Sequence, residues 1–475
     1  MTSTAPAPDR LVGNAGALVV GRLAVAAFAW AGTLLIVRTL PAEEFGRFAL
    51  LFSVLGMLSI ITDMGIGRAA VAGVLGNPDR AGPFVGSYVV LRSLLGVVGY
   101  AVALGFVAIG TYPIEVIEAM AVAALAVVFA TPAHALGIVF QAQLRLRTVA
   151  VSGAVAQCAQ FALTAAIAAA GGSVLWFVVP AVVGEMINLA IVAARAHRLM
   201  PIRYRPDVRE WLVLLREAVP LSIGTAFATL TYRIDSVMLS QLDTFRAVGH
   251  YNVASKLPDL VRFGSTAVST PMLTILVSSF PDQPEAFRTA LRRAGTLLTV
   301  LGVGAFVGTA LYATDAIGLL YGREYVDADR ATAVLMAAQV MAFATSMAFT
   351  VLAATAHHRV YPLVAAGGLL TNVGVNIVAI PYWSFEGAAA ATLLTEVVVL
   401  IPLALLVRRI PHVRPFPAPP FGRATLTGVL TFGLGAALAA TPLPWAAGAA
   451  LAGVFFVVVA RWSGALDVDD LRGLR

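Results

Sequence analysis

The stretch Thr231-Tyr-Arg-Ile-Asp-Ser-Val-Met lies at the far end of a long apolar run, yet it carries two opposite charges, Arg233 and Asp235. Two residues along an α-helix is a rotation of roughly 200°, so these side chains point to nearly opposite faces and do not easily neutralise each other. Isolated charges recur in the other apolar runs. The cations are Arg22, Arg92, Arg233, Lys256 and Arg262, and the carboxylates are Asp63, Glu185, Asp235, Asp259 and Glu396. Even insertion scales assign a charge at a bilayer centre ~2.5–3.5 kcal/mol, so such groups usually face a wet cavity, a ligand or partners on other helices. Several guanidinium groups around one pocket suit a phosphate, which arginine grips with fork-shaped bidentate donors. Buried carboxylates can titrate near neutral pH, so each of the five could carry a proton or pair with Na⁺.

Each of these residues also has a plainer reading. Arg92 and Lys256 lie about a third of the way along their runs and could snorkel to an interface. Lys256, Asp259 and Arg262 follow one another at i, i+3 and i+6, which allows a local string of ion pairs, and Pro258 among them is expected to kink the helix. Asp63 could pair with Arg68, and Glu185 and Glu396 could hydrogen-bond between helices. His134, after Pro132, reads more readily as a packing residue than as a proton relay, and the adjacent His357 and His358 read as a solvated turn. Glu43-Glu44 is an external acidic pair of the kind that can mark a lipid-dependent glycosyltransferase, but a short interfacial turn explains it. Walker, H-E-x-x-H and nucleophile-elbow motifs are missing from the sequence. The single cysteine, Cys158, excludes an internal disulfide and a cysteine metal site. We therefore expect no catalytic centre, no metal and no cofactor.

The elements that must position these charges follow from composition. The 475-residue chain is 59% hydrophobic and only 12% charged, against roughly 25% charged in a soluble domain. It reads as an all-α polytopic membrane protein. At ~20 apolar residues per span, about fourteen transmembrane helices are expected, over 11–36, 48–67, 84–109, 113–140, 149–170, 174–195, 212–241, 248–279, 294–313, 331–355, 360–380, 386–407, 422–440 and 443–461. The first is too long an apolar segment for a cleaved signal and reads as an uncleaved span. With the N-terminus inside, alternation leaves only Arg38, Arg47, Arg246, Arg323 and Arg330 in outer segments, while most arginines fall at the inner face. That places both termini in the cytoplasm. The net charge of +7 is thus explained by topology and does not point to nucleic acid. Trp176, Trp211, Trp383, Trp445 and Trp462 lie near span ends, as an interfacial belt requires.

The chain also repeats itself. At one offset Gly46 matches Gly249, Phe48 matches Tyr251, and Pro78-Asp79 matches Pro281-Asp282. At a slightly longer one Arg147 meets Arg359, Glu185 meets Glu396 and Arg198 meets Arg409. Spans 1–6 and 7–12 then form two six-helix lobes. Because six is even, both enter from the same side as parallel repeats about an axis along the membrane normal. The expected domains are an N-lobe over 1–200, a C-lobe over 201–415, and two extra C-terminal helices with a cytoplasmic tail over 416–475. The basic stretch 195–210 links the lobes. Such repeats are a transporter plan, with a site near the midplane of the seam between the lobes.

Two segments carry a family resemblance. In LLIVRTLPAEEFGRFALLFSVLGMLSIITDMGIGRA (34–69), Arg38, Leu40, Phe45, Gly46, Asp63 and Gly65 stand where the polysaccharide-biosynthesis flippases have their opening signature. YRIDSVMLSQLDTFRAVGHYNVASKL (232–257) resembles that family's second-lobe signature, with Arg233, Asp235, Gly249, Tyr251 and Ala254 in place. The resemblance implies a two-lobed, V-shaped carrier of the multidrug/oligosaccharidyl-lipid/polysaccharide (MOP) superfamily. It would sit in the inner membrane and move an undecaprenyl-diphosphate-linked oligosaccharide between leaflets by alternating access. Arg22, Arg233 and Arg262, with Lys256 and Arg92, would bind the diphosphate. Asp235, Asp259, Glu185, Glu396 and Asp63 would be candidates for H⁺ or Na⁺ coupling. Its partners would be the lipid-linked glycan, membrane lipids, and the glycosyltransferases and polymerase of the same pathway. Fourteen spans also occur in peptidoglycan lipid II flippases, but a first-lobe cationic cluster like theirs is not evident. The competing readings are a drug or metabolite exporter of the same fold, which would favour an aromatic and acidic cavity, and a membrane-embedded glycan transferase or polymerase, which would need a sizeable catalytic loop.

Overall fold

The computed structural model describes residues 25–63, 65–355, 358–410 and 420–466. Among these residues every regular element is a helix. They fall into two compact units, Met1–Val237 and Met238–Arg475.

The first unit holds α1 (described over Val25–Thr39), α2 (Ala42–Asp63), α3 (Ile66–Gly76), α4 (Ala81–Ile109), α5 (Ile114–Ala123), α6 (Leu125–Ala142), α7 (Leu146–Ala169), α8 (Val174–Leu199) and α9 (Val208–Leu242) through Val237. Its main core joins Ile66 and Ala70 of α3, Val85 and Tyr88 of α4, Leu136 to Phe140 of α6, Val192 and Ala196 of α8, and Leu214 and Ala218 of α9. Two helices are broken where the sequence forces it. Gly65, at φ 64°, separates α2 from α3 in a left-handed conformation that glycine adopts without strain. α9 bends by 63° between its halves Val208–Pro220 and Ser222–Leu242, because proline removes an intrahelical hydrogen bond and clashes with the preceding turn. The two breaks touch: a β-carbon on Gly65 would run into the Ser222 hydroxyl.

The stretch 200–207, before α9, is clasped to α4. A β-carbon at Gly82 would meet the Pro201 carbonyl, and one at Gly86 the Arg203 carbonyl. The Asp207 amide donates to Ser87 Oγ at 3.1 Å, and Trp211 Nε1 donates to the Ser87 carbonyl at 3.0 Å. His197 Nδ1 lies 2.8 Å from the Ala193 carbonyl, so that nitrogen carries the proton and Nε2 accepts from Tyr204 Oη at 3.0 Å.

The second unit continues with α10 (Phe245–Ala254), α11 (Lys256–Ser279), α12 (Pro284–Leu320), α13 (Asp329–Ala354), α14 (Tyr361–Val407), α15 (Pro420–Ala439) and α16 (Trp445–Trp462). Met272, Leu276, Phe287, Leu291, Met347, Val351, Leu403 and Val407 form its core. The helix break near the sequence-expected kink falls at Ser255 rather than at Pro258. Pro258 stands in the first turn of α11, where its missing N–H leaves no helical carbonyl unpaired. α14 is interrupted at Ser384 (φ 53°, ψ −137°). A β-carbon on Gly387 would strike the Ala379 carbonyl, eight residues back and roughly 12 Å away along a straight helix, so the chain doubles back there. α15 and α16 seat on α12 through small residues: Gly428 of α15 faces Val303, and Gly448 of α16 faces the Tyr312 hydroxyl. Close approach at glycine is how helices associate in lipid, where apolar burial offers little drive.

Described helices overlie each of the fourteen apolar stretches, but the count of fourteen spans is not established. Nine helices among the described residues are long and apolar enough to cross a membrane, or ten if bent α9 is one span. The chain is a multi-pass, all-helical membrane protein.

Candidate substrate-binding site

Within the first unit, α2, α3, α4, α6, α7, α8 and α9 line an open cavity of about 610 Å³. Its charged wall is the pair Asp63–Arg92. Arg92 Nη1 donates to Asp63 Oδ1 at 2.9 Å and to the Asp63 carbonyl at 3.4 Å. The guanidinium side is 2% exposed and the carboxylate side 68%. Asp63 thus pairs across to α4 and not with Arg68, because α2 ends at that point and turns its last carboxylate toward the neighbouring helix. His134 of α6 and Asn188 of α8 line the same cavity. Asn188 Nδ2 reaches Glu185 Oε2 at 3.4 Å, which places Glu185 beside it.

The remaining polar wall is neutral. Ser59, Gln141, Ser222, Thr225 and Thr229 line it. Thr62, Tyr88 and Thr131 line it too. Four of the hydroxyls donate back to their own helices: Ser59 to the Gly56 carbonyl at 2.7 Å, Ser222 to Ala218 at 2.9 Å, Thr225 to Ser222 at 2.8 Å and Thr229 to Thr225 at 2.9 Å. A hydroxyl whose proton is spent in this way presents its oxygen as an acceptor, as Ser59, Thr225 and Thr229 do toward the cavity.

Arg233 stands one turn along α9 from Thr229. Its guanidinium lies against Gly56 of α2, where a β-carbon would come within 3.0 Å of Nε and 3.3 Å of Cζ. Its Cζ is 5.1 Å from the Tyr232 ring centroid, within cation–π range. Arg233 forms no ion pair among the described residues. Asp235, two residues on, is 1% exposed, and points away from Arg233 as the helical rotation requires.

The second unit has its own polar cluster. Arg262 of α11 donates from Nε to Gln339 Oε1 of α13 at 3.4 Å, and Thr345 Oγ1 donates to Glu396 Oε2 of α14 at 3.2 Å. Lys256 and Asp259 occupy the first turn of α11, both half-buried. A buried amide pair lies nearby in sequence on α14, with Asn376 Nδ2 donating to Asn372 Oδ1 at 3.1 Å. Arg22 and His357 lie outside the described residues. Among the described residues, no group of three or more His, Cys, Asp or Glu side chains is arranged to hold a metal.

Sequence reading singled out the charges and missed what frames them. Gly56, Gln141, Asn188, Thr225 and Thr229 carried no flag, since small and hydroxylated residues are ordinary in membrane helices. The one usable signal was their spacing: Thr225 and Thr229 share the face of α9 that leads to Arg233.

Solved structures of membrane transporters share this fold. A "Lipid II flippase MurJ, inward closed conformation" matches with a TM-score of 0.77 at 12% identity, covering 94% of this chain and 98% of that one. A "multidrug resistance MATE family transporter of the MOP superfamily" in an inward-facing conformation matches with a TM-score of 0.66 at 15% identity, over 83% and 96% of the two chains. The "MATE multidrug transporter DinF-BH" gives 0.61 at 16%, over 87% and 98%. No curated protein sequence matches the chain. The sequence profile of the polysaccharide biosynthesis protein family matches residues 35–330, and the chain belongs to that family.

Proposed function

We propose that the protein is a flippase that carries a lipid-diphosphate-linked oligosaccharide, a polysaccharide precursor, across the cytoplasmic membrane by alternating access, with both termini in the cytoplasm. The observation that carries this reading is Arg233. Its guanidinium lies in a membrane-spanning helix, lodged on a glycine and edged by an aromatic ring, with no carboxylate paired to it among the described residues. A cation held that way retains its field for an anionic ligand, and a diphosphate offers the paired oxygens that a guanidinium fork accepts. Arg262 and Arg22 complete the cationic set in this reading, with Lys256 in support. Arg92, engaged by Asp63, acts on the chamber's geometry. Glu185, Glu396, Asp235, Asp259 and Asp63 remain the candidates for H⁺ or Na⁺ coupling. Glycosyltransferases and a polymerase of the same pathway are the expected partners. Family membership supports a polysaccharide precursor as cargo over a drug. An exporter of organic cations would want an unpaired carboxylate, and Asp63, the carboxylate that lines the chamber, is neutralised by Arg92.

The test is Arg233→Ala in a strain that depends on this protein for surface glycan. Surface glycan is lost while the protein is still made at normal level, lipid-linked glycan accumulates on the inner leaflet, and Arg233→Lys retains part of the activity. Normal export by Arg233→Ala removes Arg233 from the mechanism. Short or incomplete glycan would point to a transferase or polymerase, and drug sensitivity with normal glycan to an exporter.

A further inference from the structure

We propose that the cavity walled by Asp63–Arg92 is a sugar subsite, holding the first sugar of the head group while Arg233 holds the diphosphate. This inference rests on the lipid-diphosphate reading above and assigns its head group a place.

The chemistry of the wall selects the ligand class. A phosphate would need a cation with unspent charge, but Arg92 is committed to Asp63 at 2.9 Å. An organic cation would need a carboxylate on the wall with unspent charge, and Asp63, the carboxylate that lines it, is engaged by Arg92, while Glu185 is held against Asn188 outside the lining. What remains is close to neutral and rich in both kinds of hydrogen-bonding partner. The Thr225, Thr229 and Ser59 hydroxyls have donated to helix carbonyls and so offer acceptor lone pairs. The Gln141 and Asn188 amides add donors. Apolar surfaces from Leu55, Val127 and Ile138 alternate with them. A sugar ring has hydroxyl edges and apolar C–H faces, and such a mixed wall satisfies both. At about 610 Å³ the cavity lies within the ~300–1,000 Å³ of small-molecule sites.

The register supports the assignment. Ser59 is one turn from Gly56 on α2, and Thr229 is one turn from Arg233 on α9. Both line the cavity, while Gly56 and Arg233 touch each other. The guanidinium therefore stands about one helical pitch, ~5.4 Å, from the rim. That is the scale separating a phosphate from the sugar ring it carries.

Gly137 of α6 gives a clean perturbation. It lines the cavity, and a β-carbon there would meet nothing within 4 Å. Gly137→Leu starts its side chain from a β-carbon that meets no neighbour, puts bulk on the chamber wall and replaces a poor helix former with a good one. The experiment uses the full chain in lipid nanodiscs. The probes are undecaprenyl diphosphate alone and the same lipid bearing one glucose, galactose or N-acetylglucosamine. Wild-type protein binds at least one sugar-bearing lipid about tenfold more tightly than the bare diphosphate. Gly137→Leu loses that preference and keeps its affinity for the bare lipid. Asn188→Ala shows a smaller loss of the same kind, and Arg233→Ala weakens every probe. A wild type without sugar preference, or a Gly137→Leu variant that keeps the preference, overturns the subsite while leaving the diphosphate reading intact. A wild type that binds none of the probes overturns both.

Discussion

Adding one methyl group, as Gly56→Ala, puts the proposed diphosphate site under direct test. The new β-carbon would lie 3.0 Å from Arg233 Nε, 3.3 Å from Cζ and 3.4 Å from Cδ. Ordinary carbon contacts sit at about 3.5–4.0 Å, so the guanidinium must give by a few tenths of an ångström. Charge-assisted hydrogen bonds to a phosphate have donor–acceptor distances near 2.7–2.9 Å, and the shift lengthens one of them to about 3.2 Å, the long end of the hydrogen-bond range. Such a bond is worth about 1.5–3 kcal/mol in full, so weakening it by about half lowers binding about 3- to 10-fold at 1.4 kcal/mol per tenfold. The fold should not suffer, since alanine is favoured over glycine inside a helix by ~1 kcal/mol. The assay is translocation of labelled lipid-linked oligosaccharide in proteoliposomes, with the melting temperature of each variant measured alongside. Gly56→Ala should melt no lower than wild type and flip about 3- to 10-fold more slowly. In an Arg233→Ala background the same substitution should cost almost nothing more, because the two act through one contact. Wild-type flipping by Gly56→Ala, or a full additional loss in the Arg233→Ala background, would refute the claim that the glycine positions this guanidinium.

Two further outcomes follow from contacts in the first unit. Asp63→Ala strands the Arg92 guanidinium, which is 2% exposed. Breaking a buried pair by removing one partner costs ~3–5 kcal/mol, and because Asp63 itself is mostly exposed we expect about 2–3 kcal/mol. That loss should appear as a lower melting temperature, and the double variant Asp63→Ala/Arg92→Met should regain most of it. A single variant that melts like wild type would show the pair to be idle. Gly86→Val drives a side chain into the Arg203 carbonyl and should lift the clasped stretch 200–207 off α4. Trypsin should then cut at Arg203 or Arg205 several-fold faster in detergent, whereas Gly105→Val, where a β-carbon meets nothing within 4 Å, should leave the cutting rate unchanged. Equal rates for the two variants would show that the clasp does not depend on close approach at Gly86.

Helix positions were readable because lipid imposes them: a run of apolar residues long enough to cross has few alternatives to a helix. The breaks were less readable. Pro258 drew the expected kink, yet the chain broke at Ser255, since a proline in a first helical turn costs little. Gly65 and Pro220 mark breaks that face each other, but their contact is tertiary and has no signature in either segment. The Asp63–Arg92 pair is equally hidden. The partners lie 29 residues apart on helices that the sequence orders but does not orient, and nearby Arg68 looked the simpler partner. Gly56 shows the limit most clearly. In a run of Leu, Val, Ser and Gly nothing separates a glycine that packs helices from one that seats a guanidinium.

Pairing sorts the membrane cations by what they can do. A guanidinium already bound to a carboxylate has spent most of its field, so an arriving anion gains little from it and must also compete with the existing hydrogen bonds. Arg92 is in that state, and its burial at 2% exposure makes the pair costly to open. Arg233 is in the other state. A glycine lets it approach α2 closely, and the adjoining Tyr232 ring stabilises the charge without neutralising it. Two arginines of the same compact unit, each in an apolar helix, thus carry different consequences. The first is tied to the chamber's own carboxylate, and the second has no ion pair among the described residues and stands one helical turn from Thr229 on that chamber's wall. A diphosphate bonded to a sugar meets both conditions in one molecule, whereas a bare anion or a neutral glycan meets only one.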